Sequence, residues 1–285
     1  MLTAVIGASG RSGSALCRAL ASEEHAFRPV IRRPEAWRAL GLPSTSPMLA
    51  DLSDVPALRA ALAGADKVVS CAHARWTPAI LEAAPQNATL ILMGSTRRYS
   101  QWPDEHGDGV RAGEAAFLGG DRPGVMLHPT MIYGAEGENN VQRLAALMRR
   151  LPVAPLPGGG HALVQPIYQA DVTACLMAAL KRPWTGQHVL IVAGPQALPY
   201  RSFMAEVARH AGVRMPPVMK VPIAALLAAA SLMKMLPGLP KVGVDELRRL
   251  TEDKAFAVED MEKCLGIRGC SLSEGLRRTF VDNAA

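Results

Sequence analysis

Short apolar runs and amphipathic stretches alternate along the first two thirds of the chain. Runs at 2–7, 27–32, 48–50, 66–72, 88–94, 124–128 and 188–193 are rich in Val and Ile, which predicts strands. Between them, apolar residues recur every three to four positions and predict helices over 12–22, 54–63, 77–84, 109–118, 139–150 and 169–180. Runs such as Ala88-Thr89-Leu90-Ile91-Leu92-Met93 leave no polar face, as strands of a parallel sheet covered on both sides require. The alternation predicts an α/β fold with a doubly wound parallel sheet.

A Gly/Pro-rich stretch at 151–161 and everything after Gly194-Pro195 break the pattern. Beyond that point helices are predicted near 199–211, 222–236, 243–252 and 273–282. The chain therefore divides into a nucleotide-binding domain, 1–195, with an excursion at 134–165 toward the substrate cleft, and a smaller, mostly helical substrate domain, 196–285. Residues 221–236 are apolar nearly all round, yet too short and too interrupted by Pro222 and Lys234 to span a bilayer. A helix apolar on every face needs a covering surface. Burial within the C-terminal domain is the first reading; peripheral contact with a membrane, a lipophilic ligand or a second copy of the chain stays open.

The chemistry starts at the first strand, which runs into Gly7-Ala8-Ser9-Gly10-Arg11-Ser12-Gly13 and then a helix. Glycines at this spacing permit a tight turn, close approach of backbone to a pyrophosphate, and close packing of helix on strand, while the helix N-terminus offers N–H donors to the anion. Gly7, Ser9, Gly10, Arg11, Ser12 and Gly13 are thus candidate dinucleotide-binding residues. After the second strand, Arg32 and Arg33 stand where NAD sites often carry an acid, and a guanidinium there meets a 2′-phosphate, which favours NADP with NAD as the alternative. Asp51, followed by Leu52, can accept from the adenine amino group or merely precede the next helix, for which Ser53 or Asp54 is the better cap. Cys71, Ala72 and His73 follow the fourth strand, where the cofactor must pass; His73 can donate to cofactor or substrate, or cap its own loop.

Composition narrows the partners. With 285 residues, 49% hydrophobic and 20% charged, the chain is globular. The net charge of +6 and pI near 9.3 favour anionic ligands, but the basic residues are scattered without interleaved aromatics, which argues against nucleic acid. Five cysteines without a C-x-x-C pair suit a reducing compartment, with neither a disulfide framework nor a metal site. No secretory pattern precedes the first strand, so a cytoplasmic location is expected.

Taken in order, the glycine loop, Leu49-Ala50-Asp51-Leu52, Gly94-Ser95-Thr96 with Tyr99, His128-Pro129-Thr130-Met131-Ile132-Tyr133-Gly134 and Pro166-Ile167-Tyr168-Gln169-Ala170-Asp171-Val172 resemble the extended or atypical short-chain dehydrogenase/reductases, which include the NAD-dependent epimerases and dehydratases. The resemblance implies that Pro129 and Ile132 adjoin the nicotinamide, that His128 replaces a common arginine, and that the chain closes with a helix and the turn Leu265-Gly266. It also implies a substrate-polarising role for Ser95. The departure is the Tyr-x-x-x-Lys of active members, in which lysine lowers the tyrosine pKa for proton exchange during hydride transfer. No such motif occurs; His106 and Val110 align with its tyrosine and lysine if Glu114 is the acid that follows.

Ser95 and Tyr99 remain as candidate catalytic residues. His106 is the next candidate, although Asp104-Glu105-His106-Gly107-Asp108-Gly109 reads more simply as a mobile surface loop. Two functions follow: an NAD(P)-dependent oxidoreductase or epimerase acting on a small or nucleotide-linked carbonyl or alcohol, or a non-catalytic NADP-binding sensor or scaffold. One consequence is directly measurable: Arg32→Ala should weaken NADP binding about tenfold or more, the loss of one charge-assisted phosphate contact, and leave NAD nearly unchanged in fluorescence titrations. Equal affinities of the unmodified protein for the two cofactors would show the arginines to be ordinary surface residues.

Overall fold

The computed structural model describes residues 1–42, 46–134, 140–233 and 244–280. In chain order the elements are β1 (Thr3–Ile6), α1 (Arg11–Ser22), β2 (Phe27–Ile31), α2 (Pro34–Arg38), β3 (Met48–Leu49), α3 (Val55–Leu62), β4 (Lys67–Ser70), α4 (Thr77–Ala83), β5 (Thr89–Met93), α5 (Glu105–Leu118), β6 (Gly124–Pro129) and β7 (Ile132–Tyr133). There follow α6 (Asn140–Arg150), β8 (Ala154–Pro157), β9 (Leu163–Val164), β10 (Ile167–Tyr168), α7 (Gln169–Lys181), β11 (Gln187–Val192), β12 (Leu198–Pro199) and α8 (Tyr200–His210). The last are β13 (Val218–Val221), α9 (Ile223–Met233), α10 (Val244–Arg249), α11 (Glu259–Leu265) and α12 (Leu272–Phe280). Short 3₁₀ turns at Ala74–Trp76 and Thr96–Tyr99 follow β4 and β5.

Seven strands form one parallel sheet in the order β11-β6-β5-β4-β1-β2-β3, so the predicted doubly wound sheet is present. Strand order reverses at β1, where β2 pairs on one side and β4 on the other, and such a switch point opens a crevice at the carboxyl ends. Successive side chains of a strand point to opposite faces. Val5, Val69, Ile91 and Val125 accordingly pack with Leu16 and Leu20 of α1 and Leu176 and Leu180 of α7. Ala4, Val68, Leu90 and Met126 pack on the other face with Leu58 of α3, Ile80 of α4 and Phe117 of α5. Both faces are dry, which is why these strands read as unbroken apolar runs.

A third apolar cluster joins the excursion to the C-terminal segment: Val141, Ala145 and Met148 of α6, Ala154 and Leu156 of β8, Phe203 and Val207 of α8, and Leu276 of α12. From α11, Met261 and Leu265 instead enter the cluster on the α1/α7 side of the main sheet. Gly266 ends α11 with φ +68°, a left-handed cap, as the resemblance implied.

One expectation needs correction. The helix predicted over 109–118 starts four residues earlier, so His106 lies in its first turn and not in a mobile loop. Asp104 caps that helix by accepting from Gly107 N at 2.7 Å. The glycines that made the stretch read as loop serve close packing: a Cβ at Gly107 would lie 3.1 Å from the Arg97 carbonyl oxygen, and one at Gly109 3.0 Å from the His73 ring. Within the apolar stretch 221–236, Ile223–Met233 form α9; Val221, Ile223, Leu226 and Leu227 are half-buried, and Pro222, Ala224, Ala225 and Ala228 are exposed. Positions 234–236, the start of the helix predicted at 243 and positions 281–282 lie outside the described residues. No helix among the described residues is long and apolar enough to cross a membrane.

The tightest constraint in the fold lies where α1 leaves the glycine loop. A Cβ at Gly13 would overlap the Gly7 carbonyl and lie 3.0 Å from Ala8 Cα, inside van der Waals contact, and backbone cannot swing away as a side chain can. Gly13→Val should cost on the order of 2 kcal/mol or more by overpacking, measured by urea unfolding. An unchanged midpoint would mean that α1 can shift off the loop.

Candidate cofactor and substrate site

The glycine loop sits at the switch point. Gly7 has φ +74°, a conformation that favours glycine, and its N–H donates to Val30 O at 3.0 Å. Gly10 N donates back to Gly7 O at 2.9 Å, which closes the turn, and Ser14 N donates to Gly10 O at 2.7 Å, which opens α1. No side chain caps this helix. Its first amides face the crevice end of the sheet in the arrangement that receives a phosphate, so the loop fits a dinucleotide.

Around the loop the predicted residues fall into two groups. Ala8, Cys71 and Ile132 belong to one apolar cluster, which brings the residues that follow β1 and β4 together with the start of β7. Burial pushes the Cys71 thiol up, so it is an inert wall residue and not a nucleophile. Pro129 ends β6, and its carbonyl accepts from Thr96 Oγ1 at 3.2 Å, joining it to the Ser95 turn. Ser9 is half-buried in the loop, and Ala72 and Leu52 are half-buried against the α3/α4 side of the core.

On the other side of the loop, Arg11, Arg32 and Arg33 are exposed. Asp51 Oδ1 accepts from Ser53 N at 2.9 Å and Ser53 Oγ at 2.6 Å; these bonds, with Arg32 nearby, hold its carboxyl below the usual range. Asp54, not Asp51, caps α3, through Ala57 N at 3.0 Å. Ser12 Oγ turns away from the loop and donates to Gln169 Oε1 on α7 at 3.0 Å. His73 acts as a local cap, its Nδ1 accepting from Arg75 N at 3.0 Å, with its ring edge-on to His106 at 4.1 Å.

The Ser95–Tyr99 turn rests on contacts that motif reading missed. Ser95 N donates to Nδ1 of His128 at 2.9 Å, and Ser95 Oγ accepts from Arg97 N at 3.2 Å as the cap of the turn. His128 is wholly buried, and its Nε2 lies 2.6 Å from Glu114 Oε2 on α5, without an aligned hydrogen bond. Glu114 Oε1 pairs with Arg98 at 3.0 Å, and that guanidinium lies over the Tyr99 ring at 4.6 Å. Gly94 is required here, since a Cβ would occupy the His128 ring. The signal in the sequence was the histidine standing where the resemblance called for arginine.

A second set of contacts comes from the C-terminal segment. Asp104 binds Arg97 Nε at 2.8 Å and Arg249 of α10 at 2.9 Å. Glu252, buried, accepts from Ser100 Oγ at 2.8 Å and Gln101 N at 2.6 Å, and Phe256 lies 5.8 Å from the Tyr99 ring. The turn is therefore clasped from β6 and α5 on one side and from 249–256 on the other.

Residues 7–117 match the NAD(P)H-binding family. They carry the glycine loop and strands β2 to β5 of an NAD(P)-binding Rossmann fold. An uncharacterized protein of Mycobacterium tuberculosis is 29% identical over 211 residues, covering 73% of this chain and 23% of that protein, so the match spans under a quarter of that relative's length. Among solved structures, an NADPH-dependent quinone oxidoreductase of Escherichia coli, complexed with NADPH, superposes with TM-score 0.76 at 18% identity over 98% of this chain and 99% of that one. A UDP-glucuronic acid 4-epimerase of Bacillus cereus, in complex with UDP-glucuronic acid and NAD, gives 0.72 at 18% identity over 98% of each chain. These likenesses establish the fold shared with the epimerase and reductase structures.

Burial, and then the Arg98 charge, push His128 from its ordinary 6.5 down to about 4. The Ser95 amide can only donate, which further requires an unprotonated Nδ1. Between pH 6.5 and about 4 the unfolded chain therefore binds a proton at this residue that the folded chain does not, so stability falls as pH falls through that window. The loss attributable to His128 is at most about 3 kcal/mol. His128→Gln should flatten the dependence in urea unfolding between pH 7 and 4.5; an unchanged slope would show the imidazole to be indifferent to protonation.

Proposed function

We propose that the chain is an NAD(P)H-dependent reductase of small carbonyl acceptors, with NADP preferred, in which Ser95 and Tyr99 hold the accepting oxygen. The carrying observation is the Ser95–Tyr99 turn, tied to His128 and Pro129 at the end of β5, whose neighbour β4 pairs with β1, the strand that leads into the glycine loop. A bound NADPH supplies a hydride; the chain supplies position and hydrogen bonds. Ser95 caps its turn through an oxygen lone pair, which leaves its O–H free to donate to a substrate. Tyr99, 44% exposed and packed between Arg98 and Phe256, is a second donor.

The absence of Tyr-x-x-x-Lys selects the direction of reaction. Oxidising an alcohol needs a base to take its proton, and a phenol without a lysine partner is a poor one at neutral pH. Reducing a carbonyl needs only a donor, and a quinone, the acceptor named for the Escherichia coli neighbour, needs the least help because its reduced oxygens are weakly basic. His106 does not replace the missing pair: burial and neighbouring His73 push it down to about 4, so it is neutral and carries no acidic proton to give at pH 7.

Oxidation of NADPH should therefore be seen with quinones or activated ketones, with alcohol oxidation at least an order of magnitude slower. Ser95→Ala and Tyr99→Phe should each lower kcat more than they weaken cofactor binding. Tight NADPH binding with no turnover across such a panel would support the sensor or scaffold reading in its place, and rapid alcohol oxidation surviving both substitutions would refute the assignment of the donors.

A further inference from the structure

Between α10 and α11 the chain runs through residues 253–258 without helix or strand, and side-chain and backbone bonds from the 163–165 segment hold it in place. Gln165, which joins β9 to β10 and is 4% exposed, binds both polar groups of the Phe256 backbone. Its Oε1 accepts from Phe256 N at 2.7 Å, and its Nε2 donates to Phe256 O at 3.1 Å. Nε2 also donates to Gly194 O at 2.8 Å, just beyond β11. Two residues earlier the pairing continues: Lys254 N donates to Leu163 O at 2.9 Å, and Leu163 N donates to Asp253 Oδ1 at 2.8 Å. A primary amide has two protons to give and one oxygen to accept with, and all are engaged here. The side chain thus serves as a short length of sheet edge for one residue, whose ring is the one that lies against Tyr99, with the two ring planes at 49°.

We infer that Phe256 is the positioning residue of the Tyr99 donor, and that Gln165 is the clamp that keeps it in place. The inference rests on the reductase reading for its effect on turnover, and on geometry for the clamp itself. Tyr99 ends a short 3₁₀ turn and is too exposed for burial to fix its rotamer, and an exposed ring left to itself changes rotamer in nanoseconds or less. Its neighbours are the Arg98 guanidinium from its own turn, the His128 ring edge-on at 6.3 Å, and Phe256. Arg98 moves with the turn, so it does not limit the turn's own movement. Phe256 is anchored elsewhere, through Gln165 to the end of β11. A donor stabilises a developing oxyanion only when it points at it, and a drift of one ångström removes much of the effect.

Two measurements on the full chain test this, one of place and one of turnover. With 3-fluorotyrosine incorporated, the fluorine resonance of Tyr99 is assigned by its loss in Tyr99→Phe. Phe256→Ala should move that resonance toward the value of the free amino acid. Gln165→Leu, which removes the amide at near-constant volume, should do the same; should it fail to fold, Gln165→Asn, whose amide falls one methylene short, takes its place. With NADPH and a quinone, Phe256→Ala should lower kcat about tenfold and leave NADPH affinity within about twofold, and Phe256→Tyr, which keeps a ring there, should recover most of the loss. In a Tyr99→Phe background Phe256→Ala should lower kcat no further, because no phenol is left to aim. An unmoved resonance, or an unchanged kcat in Phe256→Ala, would overturn the inference. So would the same tenfold loss in the Tyr99→Phe background, which would mean that Phe256 meets the acceptor itself. A moved resonance in a protein that oxidises NADPH with no acceptor would uphold the clamp and refute the reductase reading instead.

Discussion

One buried imidazole organises the turn that carries Ser95 and Tyr99. His128 leaves β6 beneath the exit of β5 and accepts the Ser95 amide, while its other nitrogen meets Glu114 on α5. Because a protonated ring could not accept that amide, the position of Ser95 depends on the histidine staying neutral in a dry site. Arg98 closes the group by neutralising Glu114 and covering the Tyr99 ring. Strand end, helix and turn are thereby tied through one side chain, and both candidate donors inherit their place from it.

The clasp from the C-terminal segment acts on the same turn by a different means. Glu252 gathers hydrogen bonds from residues 100 and 101, and Asp104 is shared by Arg97 and Arg249, so a carboxylate on each partner anchors the other. Such charge-assisted bonds are stronger than neutral ones when partly shielded from water. The turn thus reports on the C-terminal segment: whatever displaces 249–256 also loosens the surroundings of Tyr99.

What could be read from sequence was what rests on periodicity and local backbone chemistry. The sheet, its order of elements and the glycine loop follow from apolar runs and spacing, signals that need no knowledge of distant residues. The first turn of α5 was hidden because glycines at 107 and 109 lower helix propensity, while the reason for the glycine at 113, the carbonyl of Ala74, lies on another element. The same holds for Glu114, His128 and Glu252. Each is an ordinary polar residue in sequence, given a partner only by folding. Ser12 shows the opposite case, a residue with a plausible motif role whose hydroxyl is engaged by a helix more than 150 positions away.

The close seating of α5 on the turn at 74–76 also changes what the missing Tyr-x-x-x-Lys means. Val110, which stands at the lysine position if Glu114 is the acid that follows the motif, is 1% exposed and packed inside the protein, where an ammonium group would be stripped of water. His106, at the tyrosine position, is instead packed edge-on to His73. The helix is thus built around the residues it has, and the site is not an ordinary catalytic pair with two side chains erased. Restoring the motif by substitution would therefore place an ammonium group in a dry site at 110, a cost that the exposed position 106 does not share.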